Sequence, residues 1–194
     1  LKDSISDFTE SQMSSKRVRL NFNLRQRSKK FRGLNYGVNG NIMYSQSNLA
    51  FAWLDDSTGL FRAYPGAVFL QDQFIFNVDP FVNFFTATEG KHYFRTRLLH
   101  ANNQMTANQN NQSTVFYGDY MFQKSYPNLN GFDFIGGITG TYTNSIANMY
   151  SGAMDDSTNQ LVNLSAYTQL EKKFKETVNI SVGGKHYFRT RLLH

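Results

Sequence analysis

The chain has 194 residues, with 20 Lys and Arg against 14 Asp and Glu for a net charge of +6, 18 Phe and 11 Tyr, and no Cys. The missing cysteines exclude a disulfide framework and any thiolate metal centre, and no run approaches the roughly 18 consecutive apolar residues of a membrane-spanning helix. A mean hydropathy of -0.48 beside that aromatic excess fits strands that are apolar on one face only.

The first strand states the pattern. Its even positions Val18, Leu20, Phe22 and Leu24 are apolar, and the odd positions Arg17, Arg19, Asn21, Asn23 and Arg25 are polar. At about 3.3 Å per residue and a tilt of about 40°, that stripe covers roughly 20 Å of height, close to the apolar band of an outer-membrane barrel strand. A half-buried sandwich strand shows the same alternation. The basic run from Lys16 to Arg32 supplies most of the positive charge. It is read as a strand face and a turn holding Lys29 and Lys30 rather than as a phosphate-binding patch.

A second strand starts after Gly33 with Leu34, Tyr36, Val38, Ile42 and Tyr44 on one face and asparagines on the other, before a loop from Asp55 to Gly66. Phe51 and Trp53 near its end suit an interfacial aromatic girdle. The third strand, Val68 to Thr86, contains Pro80, which cannot donate to a ladder and so predicts a bulge or local break at Asp79-Pro80. A tight Glu89-Gly90 turn leads to a fourth strand, Lys91 to His100, with Phe94, Thr96 and Leu98 outward and Arg95 and Arg97 inward. The Asn/Gln-rich Ala101 to Gln112 is expected to be a long surface loop.

The fifth strand, Thr114 to Lys124, ends in a turn from Pro127 to Gly131 whose Pro, Asn and Gly residues preset turn dihedrals. The sixth begins at Phe132, a long loop spans Asn144 to Asn159, the seventh runs from Val162 to Leu170, and the eighth starts at Val178 after a turn near Lys172 to Glu176. Short turns at one end and long polar loops at the other are the signature of a transmembrane β-barrel. The fold expected is therefore all-β, an antiparallel up-and-down meander of about eight strands forming part of such a barrel. One partial barrel domain fills residues 1–194, with no plug domain. The opening at Leu1, followed by no charged and apolar leader, leads us to expect a fragment or processed product.

The segment GKHYFRTRLLH occurs twice, at Gly90 to His100 and at Gly184 to His194. Its abrupt edge is unlike a decayed structural repeat and reads as a sequence-assembly join or an engineering scar. The parity survives it, because Val178, Ile180 and Val182 run in step with His186, Phe188 and Thr190.

All four histidines lie in the two copies. His92 and His100 share a strand face but stand roughly 26 Å apart, too far to ligate one metal. Asp55-Asp56-Ser57-Thr58 and Asp155-Asp156-Ser157-Thr158 lack the spacing of a calcium loop and read as turn-closing residues. No nucleophile stands out beside a base and an orienting acid, so no enzyme, catalytic residue, metal or cofactor is expected.

FNVDPFVNFF (Phe76 to Phe85), YGDYMFQK (Tyr117 to Lys124), LEKKF (Leu170 to Phe174) and VNISVG (Val178 to Gly183) together resemble the barrel of TonB-dependent outer-membrane receptors, a likeness spanning Lys16 to Gly183. The resemblance implies a sector of a barrel of about 22 strands with a plugged lumen, in the outer membrane of a Gram-negative bacterium. It also implies uptake of a ferric siderophore, vitamin or glycan, with TonB and a plug reached only through a parent chain, outer-membrane lipid around it, and no nucleic-acid partner. Trp53, Arg62, Tyr64, Asn102, Asn103 and Tyr150 are then the loop candidates for substrate contact. Arg95, Arg97 and Asp119 are lumen charges available to a plug. Two other readings stay open: a complete eight-stranded outer-membrane barrel with a structural or adhesive role, and a soluble β-sandwich binding carbohydrate or nucleic acid.

Overall fold

A computed structural model describes residues 15–52, 63–64, 66–106, 109–129, 131–148, 157–174 and 178–192. The described chain forms eight antiparallel strands in one sheet, each strand hydrogen-bonded to the next in sequence order. They are β1 (Ser15–Arg27), β2 (Leu34–Ala50), β3 (Val68–Phe85), β4 (Gly90–Met105), β5 (Asn111–Tyr126), β6 (Phe132–Ala147), β7 (Thr158–Phe174) and β8 (Val178–Leu192). The all-β meander is as expected. Among the described residues the sheet is open, and the outer edges of β1 and β8 pair with no further strand.

Each register pairs even residues with even and odd with odd. One row runs from Phe22 through Gly40, Val78, Leu98, Phe116 and Tyr142 to Val162 and Thr190. The alternation of each strand therefore adds up to two continuous faces, because a side-chain period of two converts matched parity into a shared face. The rows also slant. Directly opposed partners lead from Lys185 in the middle of β8 through Tyr167, Gly137, Met121, Tyr93, Asn83 and Asn35 to Arg27, the last residue of β1. A stagger of this kind is the shear of strands tilted within a curling sheet.

The even face is the exposed one, with Val18 72%, Leu20 61% and Leu24 64% accessible, and no second layer of the described chain covers it. The buried side chains of the strands lie instead on the odd, polar face, at Asn35, Met43, Ser45, Ala147 and Ser165, and the even face buries only Gly40 and Gly90. A soluble domain buries its apolar side. Here two large hollows of the sheet lie on its polar side and the apolar side is left outside.

Aromatic rings lie over glycines directly across a strand pair, Phe22 over Gly40 on the outer face and Phe81 over Gly37 and Tyr167 over Gly137 on the inner. A ring needs a partner without a Cβ to lie flat on the neighbouring backbone. On the outer face Phe84, His92, Phe122 and Phe134 form a belt near the short-turn end, with successive ring centroids 6.1, 4.9 and 6.2 Å apart.

At that end the connections are tight. Ser28 N–H donates to the Leu34 carbonyl at 2.9 Å and Gly33 takes a φ of +84°. Thr86 caps its hairpin both ways, its N–H donating to the Gly90 carbonyl at 2.8 Å and its hydroxyl accepting from Gly90 N–H at 2.9 Å. At the far end the strands run further than expected. β4 continues to Met105 and β5 starts at Asn111, so residues 101–105 and 111–112 of the expected loop belong to strands. Amide side chains account for the difference, with Gln73 Nε2 donating to Asn103 Oδ1 and Asn103 Nδ2 donating to Asn111 Oδ1, both at 2.7 Å. Asn and Gln carry both donor and acceptor, so they support strands by pairing across them as readily as they solvate a loop.

Pro80 causes a break without a bulge. The β2–β3 ladder is continuous through it, and in β3–β4 the pairs on both sides, Val78 with Leu98 and Phe81 with Arg95, keep one register. Thr86 N–H bonds toward β4 and Phe85 N–H toward the β2 side, so even residues of β3 point their backbone at β4. The missing N–H of Pro80 falls on that seam. β8 passes straight through the start of the repeated segment as a single strand.

Candidate functional site

The odd face gathers polar side chains into a trough. Beside the Pro80 break lies a cavity of about 800 Å³ lined by Asn39, Asp79, Asn83, Arg95, Arg97 and Tyr117 among others. A second hollow of about 630 Å³ adjoins it around Asp119, Asn163, Tyr167, Lys185 and Arg189. Tyr117 and Thr141 belong to both.

Arg97 and Asp79 form a bidentate pair, Nε to Oδ1 at 2.8 Å and Nη2 to Oδ2 at 2.6 Å. Asn77 Nδ2 also donates to Asp79 Oδ2, at 3.1 Å. The fork geometry of guanidinium on carboxylate fixes orientation as well as charge. Arg95 stands opposite Asp119 across the β4–β5 seam, its guanidinium carbon 5.8 Å from the Tyr93 ring centroid. The side-chain oxygens of Asn39, Asn41 and Asn83 are buried without a hydrogen-bond partner among the described residues. Unfilled buried acceptors of this kind call for a donor from outside the sheet.

The three expected lumen charges, Arg95, Arg97 and Asp119, share this face. The loop candidates are not gathered with them. Trp53, Arg62 and Tyr150 lie outside the described residues. Tyr64 follows a buried Ala63 and is 54% exposed, its N–H bonded to the Ala52 carbonyl at 2.9 Å. Asn102 and Asn103 are strand residues on opposite faces. Asn103 belongs to the inner amide ladder, and Asn102 stands on the outer face between Phe74 and Gln112.

Asp79, like most of the trough lining, is given no role by the sequence alone. The signal was available: Asp79 and Arg97 lie equally far from Thr88, the centre of the hairpin, which makes them cross-strand partners.

On the outer face His92 Nδ1 lies 2.9 Å from the Tyr120 hydroxyl, and His100 Nδ1 lies 2.9 Å from the Thr114 hydroxyl. Among the described residues no group of three or more His, Asp or Glu is placed to hold a metal ion, and no helix is long and apolar enough to cross a membrane. Comparison with known proteins finds no matching family, no matching curated protein and no matching solved structure.

Proposed function

We propose that this chain is a sector of an outer-membrane β-barrel of the TonB-dependent receptor type, its even face against lipid and its odd face toward a lumen through which a small nutrient passes. One observation carries the reading: exposed apolar side chains such as Val18, Leu20, Leu24, Ile42, Leu70, Phe94, Phe116, Ile138, Leu164 and Val182 recur on the even face of strand after strand, while the buried polar side chains Asn35, Ser45 and Ser165 belong to the odd one. Hydrocarbon is the surroundings in which that arrangement costs nothing, and a closed strand ladder is the form in which strands cross it. Strands of 13 to 18 residues exceed the roughly 10 needed to span. The surplus is the polar, amide-laddered end.

The open edges favour a sector over a complete small barrel, since the free strands β1 and β8 both carry cations inward. In a parent barrel the Arg95, Arg97 and Asp119 trough faces a plug or the passing solute, and TonB acts through that parent.

The test replaces Trp53, the single tryptophan, with Phe and puts one Trp at Leu20, Asn21, Asn163 or Leu164 in protein refolded into vesicles of brominated phosphatidylcholine. Quenching at Leu20 and Leu164 but not at Asn21 and Asn163 is expected. Equal quenching on both faces, or folding to the same strand content in buffer without lipid or detergent, overturns the reading in favour of a soluble sheet.

A further inference from the structure

Toward the short-turn end two hollows lie in line along β5. The first, about 460 Å³, opens on the outer face beside the aromatic belt, lined by His92, Tyr120, Phe122, Phe134, Gly136 and Ile138 among others. Its polar side chains are turned to each other, His92 Nδ1 lying 2.9 Å from the Tyr120 hydroxyl, and Gly136 contributes no side chain directly opposite Phe122. The hollow therefore presents mainly carbon. The second, about 410 Å³, is bounded by the β3–β4 turn and the end of β5, with Thr88, Glu89, Lys124, Tyr126, Asn128 and Leu129 in its lining. Phe122 of the first and Lys124 of the second follow one another on one strand face, roughly 7 Å apart.

Charge divides the second hollow. Glu89 adjoins Gly90, the direct partner of Lys124 across the β4–β5 seam, yet the two charges stay apart. The Lys124 ammonium lies over the Tyr126 ring, 5.0 Å from its centroid, and Glu89, exposed in its turn, makes no ion pair with it. Glu89 also holds φ at +63°, a conformation that glycine adopts at less cost. A cation and an anion that share a hollow without meeting leave room for a group carrying both charges.

We propose that the two hollows form one site for a phospholipid whose headgroup ends in a primary ammonium, phosphatidylethanolamine. Its phosphate lies against Lys124, its ammonium donates to the Glu89 carboxylate, and an acyl chain runs along the apolar hollow past Gly136. Charge complementarity selects this occupant. Among the described strand residues the outer face at this end carries Lys124 and Lys172 and no carboxylate. Asp133 and Glu171 stand at odd positions, and the one even carboxylate, Asp72, sits toward the long-loop end. A lipid phosphate is therefore drawn to this end of the face, and Glu89 is the carboxylate that the turn brings beside a lysine. Phosphatidylcholine offers the same phosphate but a quaternary ammonium with no N–H to donate. The site rests on the membrane reading only in placing this face in lipid.

The refolded chain in detergent micelles is given equal amounts of phosphatidylethanolamine and phosphatidylcholine with the same acyl chains, and the lipid retained is read by native mass spectrometry. Retention of one phosphatidylethanolamine is expected, at about threefold preference, the worth of one exposed ion pair. Glu89→Gln brings the ratio to one, and Lys124→Gln lowers retention of both lipids. Glu89→Gly relieves the positive φ, so it raises the unfolding midpoint while abolishing the preference, which separates binding from folding. Equal retention of the two lipids by the parent chain overturns the proposal. So does a preference that survives Glu89→Gln, or displacement of the lipid by an equal concentration of phosphoethanolamine, which has the headgroup and no chains. Bromine quenching at Leu20 and Leu164 reads the lipid face independently, so equal retention beside intact quenching removes the site alone.

Discussion

Arg97 grips Asp79 across the β3–β4 seam at the position where Pro80 leaves the ladder open. The two side chains span the gap in the main-chain bonding, and the Thr96 hydroxyl adds a bond to the Pro80 carbonyl at 3.3 Å. A bidentate ion pair and a hydroxyl stand in for the missing N–H, which explains how the register passes a proline unshifted.

Removing that pair tests its worth. Asp79→Asn and Arg97→Gln, alone and together, form a double-mutant cycle in urea unfolding from detergent micelles. With the Arg97 side chain 53% exposed, a coupling of about 0.5 to 1 kcal/mol is expected. A coupling indistinguishable from zero means the pair does not hold the seam.

Pro80→Val gives the seam back its donor. The N–H it introduces points at β4, opposite Thr96, and one added ladder bond is worth about 1 kcal/mol. A higher urea midpoint and slower amide exchange at Thr96 are expected. A lower midpoint shows that the proline is preferred for the local path of the strand.

Gly137→Ala strikes the inner face. Its Cβ falls 2.5 Å from the Tyr167 ring and 2.6 Å from the Tyr120 carbonyl oxygen. The ring can turn aside, but the carbonyl belongs to the ladder, so a loss of about 1 to 3 kcal/mol is expected. Gly118→Ala is the control, with nothing within 4 Å of its Cβ, and its unfolding midpoint stays within a few tenths of a kcal/mol of the parent.

The amide ladder at the far end separates strand from loop. Asn103→Leu removes both bonds to Gln73 and Asn111 at once, leaving two amides to find water. Faster amide exchange over residues 101–105 and 111–113 is the expected result, with exchange near the Thr86 hairpin unchanged. If residues 101–112 were a loop, the substitution would leave exchange there as fast as before.

Charge on the two faces supplies a further check. Leu164→Arg on the outer face is expected to cost about 2 to 4 kcal/mol in refolding into phosphatidylcholine vesicles, and Asn163→Arg on the inner face less than 1. Similar costs at the two adjacent positions remove the lipid assignment.

Much of this architecture is legible in the order of residues. Period-two alternation from Val18 to Leu24, repeated in the strands that follow, fixes the strands and their two faces, because neighbouring side chains on a strand must point apart. Gly33, Gly131 and the Glu89-Gly90 pair mark the short turns for the same local reason: their backbones take positive φ at Gly33, Glu89 and Gly131, which few residues tolerate. Arg95, Arg97 and Asp119 could be placed on one face by parity alone. What parity leaves undecided is which residues meet. That Arg97 reaches Asp79, that Asn103 joins a ladder instead of a loop, and that Tyr167 covers Gly137 depend on the register between strands. So does the slant from Lys185 to Arg27, because register is set by pairings between distant segments, to which a periodicity within one strand is blind.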